Sequence, residues 1–175
     1  MKIMKNLNKS LIAISCLCII LNSCDKQKDT NEESNSRNTE IQKEVARKGM
    51  IELMNSYITA VKTLDSDKVI DHYYQSPEFK FISDGHVSNY NETVINVREF
   101  LGSVSKVEGR WDTIYVSVLS PEIVTAMAPF HETFIDKEGN RTPLKGEATW
   151  TAIKDGDRWR FIYGHGNHQP DTENQ

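Results

Sequence analysis

The run Ala148-Thr149-Trp150-Thr151-Ala152-Ile153, the link Lys154-Asp155-Gly156-Asp157 and the run Arg158-Trp159-Arg160-Phe161-Ile162-Tyr163-Gly164-His165-Gly166-Asn167-His168 decide how this chain folds. Asp155-Gly156 between two alternating runs is a hairpin signal, because a tight turn needs a positive φ that Gly accepts at no steric cost. A two-residue loop pairs Lys154 with Asp157 and a four-residue loop pairs Ile153 with Arg158; both give one register. One face then carries Ala148, Trp150, Ala152, Trp159, Phe161, Tyr163 and His165. The other carries Glu147, Thr149, Thr151, Ile153, Arg158, Arg160 and Ile162. An aromatic face backed by a mostly polar one is what a half-buried antiparallel sheet demands. The aromatic face ends in His165, flanked by Gly164 and Gly166 and expected opposite Gly146. A ring with no side chain across from it has space beside it, so His165 is expected at the rim of a cavity wall.

Working outward, the rest of the chain supplies the layer this sheet packs on. Ala46, Met50, Leu53, Met54, Tyr57, Ala60, Val61 and Leu64 recur at helical spacing. Asp65-Ser66 ends that helix and caps a second one with Val69, Ile70, Tyr73 and Tyr74 on its apolar face. Phe79 and Phe81 alternate in a short strand closed by the Asp84-Gly85 turn, and Asp84 is read as a turn residue only. Asn91 is expected to cap a third helix, with Glu92 in its first turn. Four strands follow, roughly 110–120, 123–135, 144–154 and 159–165. The expected fold is α+β: a curled antiparallel sheet packed on three N-terminal helices.

The N-terminus reads as a targeting segment. Lys2, Lys5 and Lys9 precede the apolar run Leu11 to Leu21, which is shorter than the roughly 20 residues that span a bilayer. Leu21-Asn22-Ser23-Cys24 resembles a bacterial lipobox, which makes residues 1–23 a lipoprotein signal peptide and Cys24 the lipidated residue. Residues 24–40 contain no apolar residue after Cys24 and are expected to be a disordered tether. The domain is expected over 41–168, with a disordered tail at 169–175. The expected location is the bacterial cell envelope, lipid-anchored to a membrane.

Composition narrows the chemistry. All three cysteines lie at or before Cys24, so the domain has no disulfide, Cys nucleophile or thiolate metal site. A formal net charge of −4 and the lack of a basic stripe argue against nucleic acid. The chain carries no nucleotide loop, Gly-x-Ser-x-Gly elbow or metalloprotease His pair. His165-Gly166-Asn167-His168 lacks an acidic or thiolate partner at fixed spacing, so no metal is expected, and no cofactor.

The order of elements and several local motifs resemble the nuclear transport factor 2-like superfamily in its SnoaL-like branch. The carriers are Leu64-Asp65-Ser66-Asp67, Phe79-Lys80-Phe81-Ile82-Ser83-Asp84-Gly85 and Asp155-Gly156-Asp157-Arg158-Trp159-Arg160-Phe161, within about 45–167. His165 sits where many members end the last strand in His-x-Ser, with Asn167 at the Ser position. The resemblance implies a cone-shaped fold enclosing a pocket, often dimeric. It implies no single activity, since members include isomerases, dehydratases, carriers and assembly domains. Catalytic members place an Asp or a His–Asp pair in the cone, and no such Asp is matched here.

The candidate residues follow. His165 is the acid/base candidate, because imidazole exchanges protons near neutral pH. In His131-Glu132 only one side chain can enter the cone. Glu132 shares its face with Val124, Ala126, Ala128, Phe130 and Phe134 and is the second candidate, a base with a raised pKa, unless Pro129 marks a bulge that flips the parity. Trp111, Trp150, Tyr163, Phe81 and Phe130 are expected to line the cavity. The expected function is binding of a small, largely apolar ligand. The alternatives are a lyase, isomerase or hydrolase using His165, and a non-catalytic subunit of an envelope complex. Two copies are expected to pair, if at all, through the outer sheet face.

Overall fold

The computed structural model describes the backbone of residues 23–172 and the side chains of residues 36–172. The signal-peptide reading falls on residues outside this range, as does the side chain of Cys24. The chain divides into two compact units, Met1–Gln42 and Lys43–Gln175. In the first unit the described residues are helical. They open helix α1, Ser23–Lys62, and residues 36–42 are exposed. The expected tether at 24–40 lies within this helix. No Pro or Gly interrupts residues 23–48, so nothing in that stretch stops a helix that starts further along. None of the described helices is long and apolar enough to cross a membrane.

In the second unit α1 turns its apolar stripe inward: Ala46, Met50, Leu53, Met54, Ile58, Ala60 and Val61 are buried. Helix α2, Ser66–Ile70, is capped by Asp65, whose side chain accepts from the Lys68 amide at 3.1 Å. Strands β1, Lys80–Ser83, and β2, His86–Asn89, form a hairpin around Asp84 (φ 50°) and Gly85 (φ 84°). Two consecutive positive φ values define a type I′ turn, whose twist matches that of the strands. Helix α3, Tyr90–Ser103, begins two residues earlier than the sequence suggests. Asn89 is its N-cap, in a capping box with Glu92.

Five strands follow: β3, Val104–Trp111; β4, Tyr115–Ser120; β5, Ile123–Asp136; β6, Arg141–Asp155; β7, Arg158–Pro170. The expected strand at 110–120 is two strands, β3 and β4, and both pair with β5. The seven-stranded sheet has the order β2-β1-β7-β6-β5-β3, and β4 also joins β5. The sheet is mixed rather than wholly antiparallel, because β1 runs parallel to β7. The expected tail is also partly ordered: β7 continues to Pro170, and Asp171 is buried.

The β6–β7 hairpin departs from the expected register in two ways. The turn is Gly156-Asp157, with Asp155 paired to Arg158, which moves the pairing by two positions and keeps every side chain on its expected face. Beyond it the register shifts once more, between Thr151 and Ala152. Ala152 pairs with Phe161 but Thr151 pairs with Tyr163, so Ile162 is an extra residue in β7. Such a β-bulge exchanges the two faces for the rest of the strand. After it, Gly164, Gly166 and His168 stand opposite Trp150, Ala148 and Gly146 on the inner face, and Tyr163 and His165 fall on the outer face.

Packing explains the bulge. A straight β7 would set Tyr163 beside Trp150, Phe161 and Phe81. The bulge sets Gly164 there instead. A Cβ on Gly164 would lie 2.3 Å from the Trp150 ring and 2.7 Å from that of Phe81. The two rings stack at 5.2 Å and 9° over the space that glycine leaves. Phe161 and Phe79, both fully buried, complete this core, and burying each contributes about 1.5–3 kcal/mol.

Candidate functional site

The inner sheet face and α1 to α3 enclose a cavity of 460 Å³ with mainly apolar walls. Trp111, Trp150, Phe81 and Phe130 line it, as the sequence suggests. Tyr163 does not. It is 45 % exposed, on the outer face to which the bulge turns it. His165 borders the cavity, but its position opposite Thr149 and beside Ile82 is that of the outer face, and it is exposed. The expectation that its ring points into the cone is corrected by the same bulge.

His168 takes the place assigned to His165. It stands opposite Gly146, and its ring meets Phe130 across that glycine at 5.3 Å. A Cβ on Gly146 would lie 2.8 Å from the Phe130 ring and 1.9 Å from the Asn167 carbonyl oxygen, so the close approach requires glycine. The tip of the β1–β2 hairpin grips His168. Its amide donates to Asp84 Oδ1 at 2.7 Å, and its Nδ1 meets Asp84 Oδ2 at 2.9 Å. The Asp84 amide in turn donates to the Gly166 carbonyl at 3.1 Å. Asp84 therefore extends the parallel β1–β7 ladder with its own side chain.

The electrostatics of the pair follow from these bonds. Burial pushes the Asp84 carboxyl up, but the His168 amide and ring outweigh it and hold the group below its ordinary value. An ionised carboxylate only accepts, so Nδ1 carries the proton, and Nε2 is the ring nitrogen left for a ligand.

Glu132 enters the cavity from β5. The β5–β6 register runs unbroken through Pro129, so no bulge flips this strand, and Val124, Ala126, Ala128 and Phe130 are buried on the same face. Opposite Glu132 is Gly109, where a Cβ would lie 3.2 Å from Glu132 Cγ. Burial raises the Glu132 carboxyl above its ordinary value, and the charge of His168 pulls it partly back. His131, the adjacent residue, faces the other way. Its Nδ1 meets Asp171 at 3.0 Å and its Nε2 meets Asp112 at 3.3 Å.

Two tyrosines from the helical side complete the lining. Tyr57 on α1 and Tyr73 after α2 share a hydroxyl–hydroxyl hydrogen bond of 3.2 Å. Burial, partly offset by that bond, pushes Tyr57 up to about 12. Burial likewise holds Tyr73 well above its ordinary value. Both hydroxyls keep their protons at neutral pH and are hydrogen-bond donors. Among the described residues no cluster of His, Cys, Asp and Glu has the geometry of a metal site.

Sequence reasoning thus missed His168 and Asp84 as cavity residues, and it weighed a Tyr73 hydroxyl at the pocket mouth without finding its partner Tyr57. Two signals pointed to the first two. Gly164-x-Gly166 at strand period marks a face that must stay bare against large neighbours. Asp84-Gly85 marks a type I′ turn that places a carboxylate at a strand end.

No protein-family model matches the chain, and no curated protein does. Solved structures do match. A nuclear transport factor 2-like protein of Salmonella enterica aligns with a TM-score of 0.66 at 19% identity, over 74% of this chain and 94% of that one. A proposed scytalone dehydratase of Novosphingobium aromaticivorans aligns with a TM-score of 0.66 at 11% identity, over 73% and 87%. LinA aligns with a TM-score of 0.65 at 11% identity, over 77% and 95%. These likenesses show the fold: helices packed on a curled mixed sheet, and this chain has the nuclear transport factor 2-like fold.

Proposed function

We propose that the protein is a small-molecule enzyme of the proton-transfer type, a lyase or isomerase, in which His168 is the catalytic base. The observation that carries this is the Asp84–His168 pair on the cavity wall. An acid/base histidine needs a second polar group that fixes its tautomer and orientation. Asp84 does both, by holding Nδ1–H and the His168 amide at once. In the proposed step Nε2 removes a proton from a ligand C–H. The bonding pair left behind shifts along the ligand. The proton on Nε2 is then returned to another carbon, which is isomerisation, or to a departing hydroxyl that leaves as water, which is dehydration. Glu132 and the Tyr57–Tyr73 pair hold the polar end of the ligand, and the aromatic walls hold its ring. The dehydratase among the structural relatives is compatible with this class of chemistry.

The reading extends to location and assembly. Lipidation of Cys24 would tether the domain to a membrane of the cell envelope, and two copies would pair through the outer sheet face.

The test is solvent exchange. The protein is incubated in D₂O with a panel of small ring compounds bearing an acidic C–H or a β-hydroxyl, and deuterium uptake and water loss are followed by mass spectrometry. Wild type should act on at least one compound, and His168→Gln should not act on it. Equal turnover by His168→Gln rules out the assignment. Ligands that bind without any exchange or loss of water leave the cavity a binding site only.

A further inference from the structure

The cavity has a marked charge character. No Lys or Arg lies among the residues that line it, whereas two carboxyl groups do, Asp84 and Glu132. Asp84 is spoken for by His168. Glu132 is half-buried in the cavity wall and makes no hydrogen bond to another described residue. Its oxygens are open to the cavity and free to accept from, or pair with, a ligand group that replaces solvent there.

The surroundings of Glu132 specify that group. Phe130 and Phe134 flank it on β5. Trp111, paired with Phe130, lies diagonally across on β3, and its indole N–H is tied to the Met54 carbonyl at 3.1 Å, which fixes the ring. Tyr57 faces it from α1, near enough for the Glu132 charge to raise the tyrosine further. The titratable neighbours are thus Tyr57 and, from β7, His168, and neither supplies a permanent positive charge. Leu144 on β6 and Gly109 on β3 stand directly across from Glu132, and the rings on the same cavity wall add to its negative charge in attracting a cation.

We infer that the cavity takes an organic cation, an amine or quaternary ammonium carried on an apolar ring, with its charged nitrogen beside Glu132 and its ring toward Trp150. This rests on the reading of the cavity as a ligand site, but not on His168 being catalytic. The lining offers no Lys or Arg to a carboxylate or phosphate ester, so it favours the cation over both.

The experiment compares phenyltrimethylammonium with its uncharged isostere tert-butylbenzene, by calorimetry and by tryptophan fluorescence. The cation should bind at least about ten-fold more tightly, a difference of roughly 1.4 kcal/mol. Glu132→Gln should remove most of that preference and leave the hydrocarbon's affinity unchanged. The quaternary nitrogen does not titrate, so any pH dependence belongs to the protein. Burial keeps a proton on Glu132 to higher pH than usual, and a bound cation drives it off. In mildly acidic buffer, where Glu132 still holds its proton in part, wild type should therefore release protons on binding, seen as a dependence of the heat on buffer ionisation enthalpy, and its affinity should rise with pH. Equal affinity for the two isosteres, an unchanged preference in Glu132→Gln, or no proton release each overturns the inference. His168→Gln keeps the two readings apart: it should retain the preference for the cation whether or not it abolishes turnover.

Discussion

Gly164→Ala tests the bulge on which the assignment of the site depends. The added Cβ would meet Trp150 Cζ3 at 2.3 Å, Trp150 Cε3 at 2.6 Å and Phe81 Cδ2 at 2.7 Å. Neither ring has room to give. Trp150 is held by Phe81 on one side, by Phe161 at 4.4 Å, and by Tyr57 and Tyr73 from the helices. Overpacking of this kind costs about 1–3 kcal/mol, and two contacts with clamped rings put the cost in the upper half of that range. For a domain of this size the melting temperature should fall by roughly 6–15 °C. Thermal unfolding followed by circular dichroism measures the loss. A second substitution supplies the control. Trp150→Leu removes the ring that the new methyl strikes, so the double variant should lose about 1–2 kcal/mol less than the sum of the singles. A neutral Gly164→Ala, or strict additivity, would mean that Gly164 does not face Trp150. β7 would then run straight, His165 would turn inward, and the case for His168 would be lost.

Asp84→Asn should convert His168 to the other tautomer, because an amide N–H facing Nδ1 can only donate. Nitrogen NMR of the ring should show Nε2 protonated, and exchange of the ligand proton should fall by at least about ten-fold, the lower range of a general-base contribution being about a hundred-fold. Glu132→Gln should stabilise the protein by about 1–3 kcal/mol near neutral pH, where a buried charged carboxyl goes unsatisfied. The folded state holds the Glu132 proton to higher pH than the unfolded state does, so wild-type stability falls as pH rises above the ordinary carboxylate range, and the gain should vanish near about pH 4. Parallel melts of both proteins across pH check the sign. On the outer face Tyr115, Met127, Leu119 and Tyr163 are exposed together, so Met127→Glu should shift a wild-type dimer to monomer in sedimentation; a wild type that is monomeric at high concentration removes the idea. Cys24→Ser should abolish lipidation of the chain made in its host, and mass spectrometry that finds a mature N-terminus other than a modified Cys24 refutes it.

Much of the architecture was legible because it obeys simple periods. The helical stripe from Ala46 to Val61, the alternation from Val124 to Phe130 and the parity of Trp150 and Ala152 all bury as their spacing suggests. Glu132 was legible for the same reason, since β5 keeps one register along its whole length. His168 was not, because parity counted from the hairpin turn fails past Ile162. The physical cause is a clash, Tyr163 against Trp150, that no period-two rule contains. Asp84 was legible as a turn residue but not as the partner of His168. The two lie 84 positions apart, and only the parallel β1–β7 pairing brings them together. That pairing contradicts the antiparallel sheet the sequence suggests.

The extra residue at Ile162 also bears on how this chain is to be aligned with others. A relative with an unbulged last strand would present the same inward residues with one residue fewer between its equivalents of Phe161 and Gly164. An ungapped alignment, anchored on the hairpin turn, would then set that relative's inward histidine against Asn167 and would score the difference as a substitution. The one-residue gap belongs inside the strand, between two segments of regular ladder, where alignment schemes penalise gaps most. Structural superposition places it correctly, so an inward histidine at the end of such a strand is to be located by its position across from the glycine on the neighbouring strand.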